Sequence, residues 1–179
     1  DLGESAASIR EHSAPLADVT SGSLEAVKFY TTGRKRLSAA DAAGAIVMFE
    51  KALELDPSFA MAHEYIGIAY ENQGSLIKAQ EHVAKAVALV DHVGEAERHK
   101  ILADHNMLLR NWAEACPHLE VLAQLRPLDP TSFSSLGVCK SFRYDYEGAI
   151  AETRRSIDIQ ATLSARGNLA RLEVLNGDV

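Results

Sequence analysis

The sequence predicts an all-α fold, a solenoid of about four and a half tandem helical hairpins, and three observations carry that prediction. Residues 60–91 read as two amphipathic helices hinged at Gly74: Ile66, Gly67 and Tyr70 share a face of the first. Ala79, Val83 and Ala86 recur at helical steps in the second. The same pattern returns on both sides, because Gly33 to Gly67 and Ala45 to Ala79 are each 34 residues. Composition agrees: Ala, Leu and Glu dominate over β-branched residues, and only 6% of the chain is aromatic.

The elements follow in order. Residues 2–12 place Leu2, Ala6 and Ile9 on one face, which predicts a short leading helix broken by Pro15. The polar run 18–23 delivers Ser23 as N-cap to a helix with Glu25 in its first turn, where a carboxylate suits the helix dipole. The predicted organisation is therefore a leading helix and loop over 1–23 and a repeat array over 24–179. Repeats are expected over about 26–59, 60–93, 96–129 and 130–162, with a partial one over 163–179.

In the first repeat the two helices meet near Ala40 and Asp41. In the second, Gly74 stops one helix and Ser75 caps the next. Two extra residues near Gly94 lengthen the next step, so Gly67 to Ala103 and Ala79 to Ala115 are 36 residues. Pro117 falls inside a helix and is expected to bend its first turns without breaking it. Asp129 and Pro130 read as an N-cap followed by proline at the first helical position. Gly137 and Ala149 return to the 34-residue step, and Asn168, Leu169, Ala170 and Gly177 open a fifth repeat.

Charge narrows the function. With 18 Lys and Arg against 25 Asp and Glu, the formal charge of −7 offers no general basic field, so neither nucleic acid nor an anionic membrane surface is an expected partner. No apolar run approaches a membrane span and no signal pattern opens the chain, so direct insertion is not expected. The chain reads as a piece of a longer protein, with a cytoplasmic location favoured, or an extracytoplasmic one if the parent spans a membrane. Cys116 and Cys139 lie within apolar helical patterns, where reduced, buried thiols are expected.

The 34-residue hairpin with an aromatic residue, Leu-Gly or an equivalent, Tyr, then Ala, Phe, Ala and Pro at fixed offsets resembles the tetratricopeptide repeat across about residues 24–177. The small residues Gly33, Gly67, Ala103 and Gly137, with Ala45, Ala79, Ala115 and Ala149, allow close helix approach. The resemblance implies a right-handed α-solenoid whose first helices line a concave groove for a peptide or helix. By register it assigns to that groove Tyr30, Arg34 and Leu37, then Glu64, Ile68 and Glu71, then Lys100, Asp104 and Met107, then Ser134, Val138 and Ser141. These positions lack the Lys, Asn and Arg clamp of chaperone-binding members, so an acidic chaperone tail is not the expected ligand. Residues 2–33 look like the segment preceding such repeats in bacterial signalling proteins, including serine/threonine kinases. A regulatory or scaffolding arm serving another protein, or another domain of the parent, is the role this implies.

Catalytic chemistry is weakly signalled. The seven histidines include no pair at a four-residue helical step. His63 and His99 occupy packing slots, the others are expected to be solvated, and no metal or cofactor is expected. Glu64, Glu95, Glu97 and Asp104 read as solvated helix-face carboxylates rather than an acid and base. Trp112 reads as a packing residue between repeats, and Arg34, Lys35 and Arg36 as a solvated basic face. The expected function is a non-catalytic interaction module. The alternatives are self-association through apolar Leu169, Leu172 and Leu175 at the array's end, and an enzyme with a cryptic metal or hydrolytic site.

Overall fold

The structure, a computed structural model, describes residues 21–177. These residues form nine α-helices and one 3-10 turn, with no strand among them. The described residues divide into two compact units, the first ending at Glu97 and the second beginning at Arg98. The predicted leading helix over 2–12 lies outside the described residues.

The first unit contains α1 (Leu24–Ser38), α2 (Ala42–Leu55), α3 (Ala60–Asn72) and α4 (Leu76–Val87), then a 3-10 turn at Val90–His92. Helices α1 and α2 pack as one hairpin and α3 and α4 as the next, with α2 also against α3. Helix α5 (Glu95–Leu108) begins in the last residues of the first unit and has most of its length in the second. The second unit continues with α6 (Trp112–Leu125), α7 (Pro130–Phe142), α8 (Tyr146–Ile159) and α9 (Leu163–Asn176). There α7 and α8 form a hairpin, α6 packs on α7, and α9 packs on α8. This is the expected all-α class of solenoid-forming helical hairpins.

The small residues close each hairpin. A Cβ built on Gly33 would sit 2.5 Å from the Phe49 ring, and one on Gly67 would sit 2.5 Å from Val83 Cγ2 and 3.2 Å from the Ala79 carbonyl. At Gly137 the same atom would meet Thr153 Oγ1 at 2.7 Å and the Ala149 carbonyl at 3.1 Å. Ala45, Ala79, Ala115 and Ala149 are fully buried. These three helix pairs thus meet with no room for one more carbon at the glycine.

The turns inside the hairpins share one conformation. Ala40, Gly74, Arg110 and Tyr144 have φ of 61°, 75°, 57° and 63°, the left-handed region that only glycine enters without strain. The next residue is the N-cap of the second helix each time: Asp41, Ser75, Asn111 and Asp145. Asp41 and Asp145 accept hydrogen bonds from the Gly44 and Gly148 amides at 2.8 and 3.0 Å. Ser75 occupies the predicted cap position but makes no side-chain cap bond. Ser23 and Asp129 cap α1 and α7 as the sequence predicts, accepting from the Ala26 and Thr131 amides. Helix α6 runs unbroken through Pro117.

Two expectations are corrected. The cysteines are not separate thiols: Cys116 on α6 and Cys139 on α7 are joined in a disulfide, their Cα atoms 5.7 Å apart across 23 residues of chain. Both side chains are buried where the two helices face each other, which brings the sulfurs within bonding reach. The last helix also differs from the end expected to offer apolar Leu169, Leu172 and Leu175 for self-association. Gly177, at φ 83°, caps it in the left-handed conformation. Leu172 is buried against Ala149 and Ile150, with Leu169 and Tyr146 beside it. Of the three leucines named from sequence, Leu175 is the exposed one.

Candidate functional site

In the first unit the residues assigned to the groove separate into anchors and open positions. Tyr30 is buried, its ring centroid 4.9 Å from Phe59, 5.9 Å from Phe49 and 5.5 Å edge-on from Tyr65. Glu64 is fully buried. The reason lies in α3, which is covered by both α2 and α4, so that Ala60, Met61, Ala62, Ile66 and Ala69 are buried around Glu64. Tyr30 and Glu64 therefore belong to the interior of this unit rather than to an open face.

Above this interior lie the accessible members. The exposed Arg34 guanidinium sits 5.8 Å from the centroid of the Tyr30 ring and 5.4 Å from that of Tyr65, within cation–π reach of both. Glu71 is exposed, and Leu37 and Ile68 are half-buried. The unit presents a cation braced by aromatic rings, a carboxylate, and two apolar side chains with part of their surface open. Tyr65 was missed from sequence because it is not one of the repeat's marker positions. Within the proposed basic cluster, Arg36 pairs with Asp41 at 2.8 Å and Lys35 is exposed.

In the second unit Lys100 and Asp104 form an ion pair at 2.7 Å one helical turn apart, each side chain about one-fifth exposed. Met107, Ser134, Val138 and Ser141 are half-buried. The Ser141 hydroxyl donates to the Val138 carbonyl at 2.7 Å, so its hydrogen is committed to its own helix. Lys140 beside them reaches Glu152 of α8 at 3.0 Å. Trp112 stacks on Phe142 with ring centroids 4.2 Å apart and planes 2° from parallel, joining α6 to α7. This is the between-repeat packing expected of it.

The carboxylates weighed for acid–base chemistry are placed differently from expectation. Glu64 and Glu97 are buried, not solvated, while Glu95 is exposed and Asp104 is held by Lys100. Helix α3 encloses Glu64 as described, and Glu97 faces inward in the first turns of α5. Among the described residues no group of three or more His, Cys, Asp or Glu is arranged to hold a metal ion.

The histidines are also corrected. His82 and His118 are half-buried rather than solvated, and each faces a histidine of the preceding helix: His63 for His82 and His99 for His118. Burial first, then the charges of His82 and Lys85, push the His63 imidazole down to about 4. Burial and Lys85 lower His82, against the pull of Glu81. Burial and His99 lower His118, Glu114 opposing and Arg98 reinforcing. A sequence signal existed, since His63 to His99 and His82 to His118 both repeat the 36-residue step of Gly67 to Ala103.

No helix among the described residues is long and apolar enough to cross a membrane. Residues 48–81 match the model of the tetratricopeptide repeat family. No curated protein matches the chain. Among solved structures, a thermophilic tetratricopeptide repeat protein of Thermus thermophilus is 16% identical with a TM-score of 0.67, over 85% of this chain and 83% of that one. MamA is 23% identical with a TM-score of 0.52, over 81% of this chain and 84% of that one. Cut9, from the APC/C hetero-tetramer Cut9-Hcn1, is 21% identical with a TM-score of 0.63, over 84% of this chain and 30% of that one. At these identities the likeness is one of fold, tandem helical hairpins, and the repeat match itself is confined to residues 48–81.

Proposed function

We propose that the chain is a non-catalytic protein-interaction module that receives a peptide or helix on the faces of its first helices, α1 and α3 in the first unit, and α5 and α7 in the second. One observation carries the reading: the positions that repeat are consumed by packing, while non-repeating side chains between them keep open surface. Arg34, Leu37, Ile68 and Glu71 are those of the first unit. Lys100, Asp104, Met107, Ser134, Val138 and Ser141 are those of the second, and Tyr30 and Glu64 support their unit from within. Helix-on-helix or extended-peptide recognition on such a surface draws affinity from a few apolar anchors and orientation from the charges. Cut9, a fold neighbour, is held in a complex with Hcn1, which is the kind of role proposed. The likeness of residues 2–33 to repeat-flanking segments extends the proposal to a regulatory or docking arm of a larger bacterial signalling protein.

The test is a peptide selected on the intact chain from a displayed random library. Its affinity is then measured by fluorescence anisotropy against the Arg34→Glu/Lys100→Glu double variant. The expected result is a loss of tenfold or more with helicity unchanged in the far-ultraviolet spectrum; full affinity in the double variant contradicts this face.

A second reading, self-association, is favoured by exposed Leu163, Val174 and Leu175 on α9. Sedimentation across a hundredfold concentration range separates the two, because a strict monomer removes it.

A further inference from the structure

Two histidine pairs are built alike in consecutive hairpins. In the first unit Nδ1 of His63 on α3 lies 3.3 Å from Nδ1 of His82 on α4, the rings tilted by 47°. In the second, Nδ1 of His99 on α5 lies 3.0 Å from Nδ1 of His118 on α6, at a tilt of 54°. Each pair spans 19 residues of chain, and all four rings are half-buried, so each pair is held by two helices yet reachable from solvent.

We propose that each pair is a two-histidine clamp for a divalent first-row transition metal, of the Zn(II) and Ni(II) class, bound through both Nδ1 atoms with water completing the coordination. Two imidazole nitrogens at zinc-bond distance from one ion lie about 3.3 Å apart at the tetrahedral angle and about 2.9 Å apart at a right angle. The two observed separations fall in that interval, and the pairs meet it independently in separate units.

The chemistry balances without an added partner. In the metal-free pair one Nδ1 carries hydrogen and donates while the other accepts, so the two rings are unlike tautomers. When the ion binds, both Nδ1 atoms give it a lone pair and the donor's proton moves to its own Nε2; no net proton need leave. The imidazoles of His63, His82 and His118 are held in the neutral, metal-binding form at neutral pH by burial. Lys85 works against a dication at the first pair and Arg98 at the second, while Glu81 and Glu114 respectively favour it. With two protein ligands rather than three, the sites are open and exchangeable.

The experiment uses the untagged full chain, stripped with EDTA, dialysed, and titrated at pH 7.5 with zinc chloride and with nickel chloride. The expected result is two equivalents bound and a rise in Tm of about 5 °C at millimolar metal. Imidazole nitrogen spectra with zinc should show Nδ1 ligation with protonated Nε2 at His63, His82, His99 and His118. His12, His92 and His105 should be unmoved. His82→Gln should remove one equivalent and His118→Gln the other; if either variant folds poorly, the wild-type spectra decide alone. An unchanged Tm with unmoved spectra overturns the proposal, as does binding confined to the other histidines or a stoichiometry that neither folded variant alters.

Discussion

Single atoms decide much of the packing, and Gly67 and Gly137 show how. Each lies where an added Cβ would meet both a side chain and a backbone carbonyl of the facing helix, and the carbonyl cannot move aside alone. Gly67→Ala and Gly137→Ala are therefore expected to destabilise by about 1–3 kcal/mol, read from urea unfolding, although alanine favours helix. Arg110 presents the opposite case: it is exposed, yet held at φ 57°. Arg110→Gly relieves left-handed strain at the cost of a looser unfolded chain, and a net gain of up to about 1 kcal/mol is expected in the same measurement.

The histidine pairs give a residue-scale prediction in pH. His63 takes its proton at about 4 in the folded chain, against 6.5 ordinarily, and His82 and His118 are shifted the same way. Between those values the unfolded chain binds more protons, so stability is full above 6.5 and falls as pH drops from there towards 4. The urea midpoint should be flat above pH 7 and decline through that window. His63→Gln should flatten part of the decline, and an unaltered slope would refute the assignment.

At the scale of elements, a hairpin coheres by close approach, and α6 and α7 are additionally joined by a covalent bond. Closing a loop of 23 residues restricts the unfolded chain by about 3 kcal/mol on the chain-entropy model. Reduction of the Cys116–Cys139 bridge should therefore lower the unfolding free energy by about that amount, and mass spectrometry of the unreduced chain should find the linked peptides. The elements were the most legible part of the sequence, because each small residue repeats at 34 or 36 positions and each cap is a local pattern. The bridge was not legible, because each cysteine fits the apolar periodicity of its own helix and only the packing of α6 on α7 brings them together. Burial of Glu64 was hidden for the same reason, since periodicity reports one covered face and α3 is covered by two neighbours.

For the whole molecule, a chain of hairpins that lean on their neighbours has a stability close to a sum of local terms. The variants above should accordingly act within their own unit and add when they lie in different units. Sequence register assigned the candidate face to the first helices but could not sort its members, because it assigns a direction and not a depth. Tyr30 and Glu64 fall inside while Arg34 and Glu71 remain exposed, and Tyr65, which supports Arg34, belongs to no marker series. The most direct test of the account is an amide chemical-shift titration of the labelled chain with the selected peptide. The account predicts shifts concentrated at Arg34, Leu37, Ile68, Glu71, Lys100, Asp104, Met107, Ser134, Val138 and Ser141. Shifts confined to the second helices, at exposed positions such as Val47, Lys51 and Glu81, with the first helices silent, would contradict it.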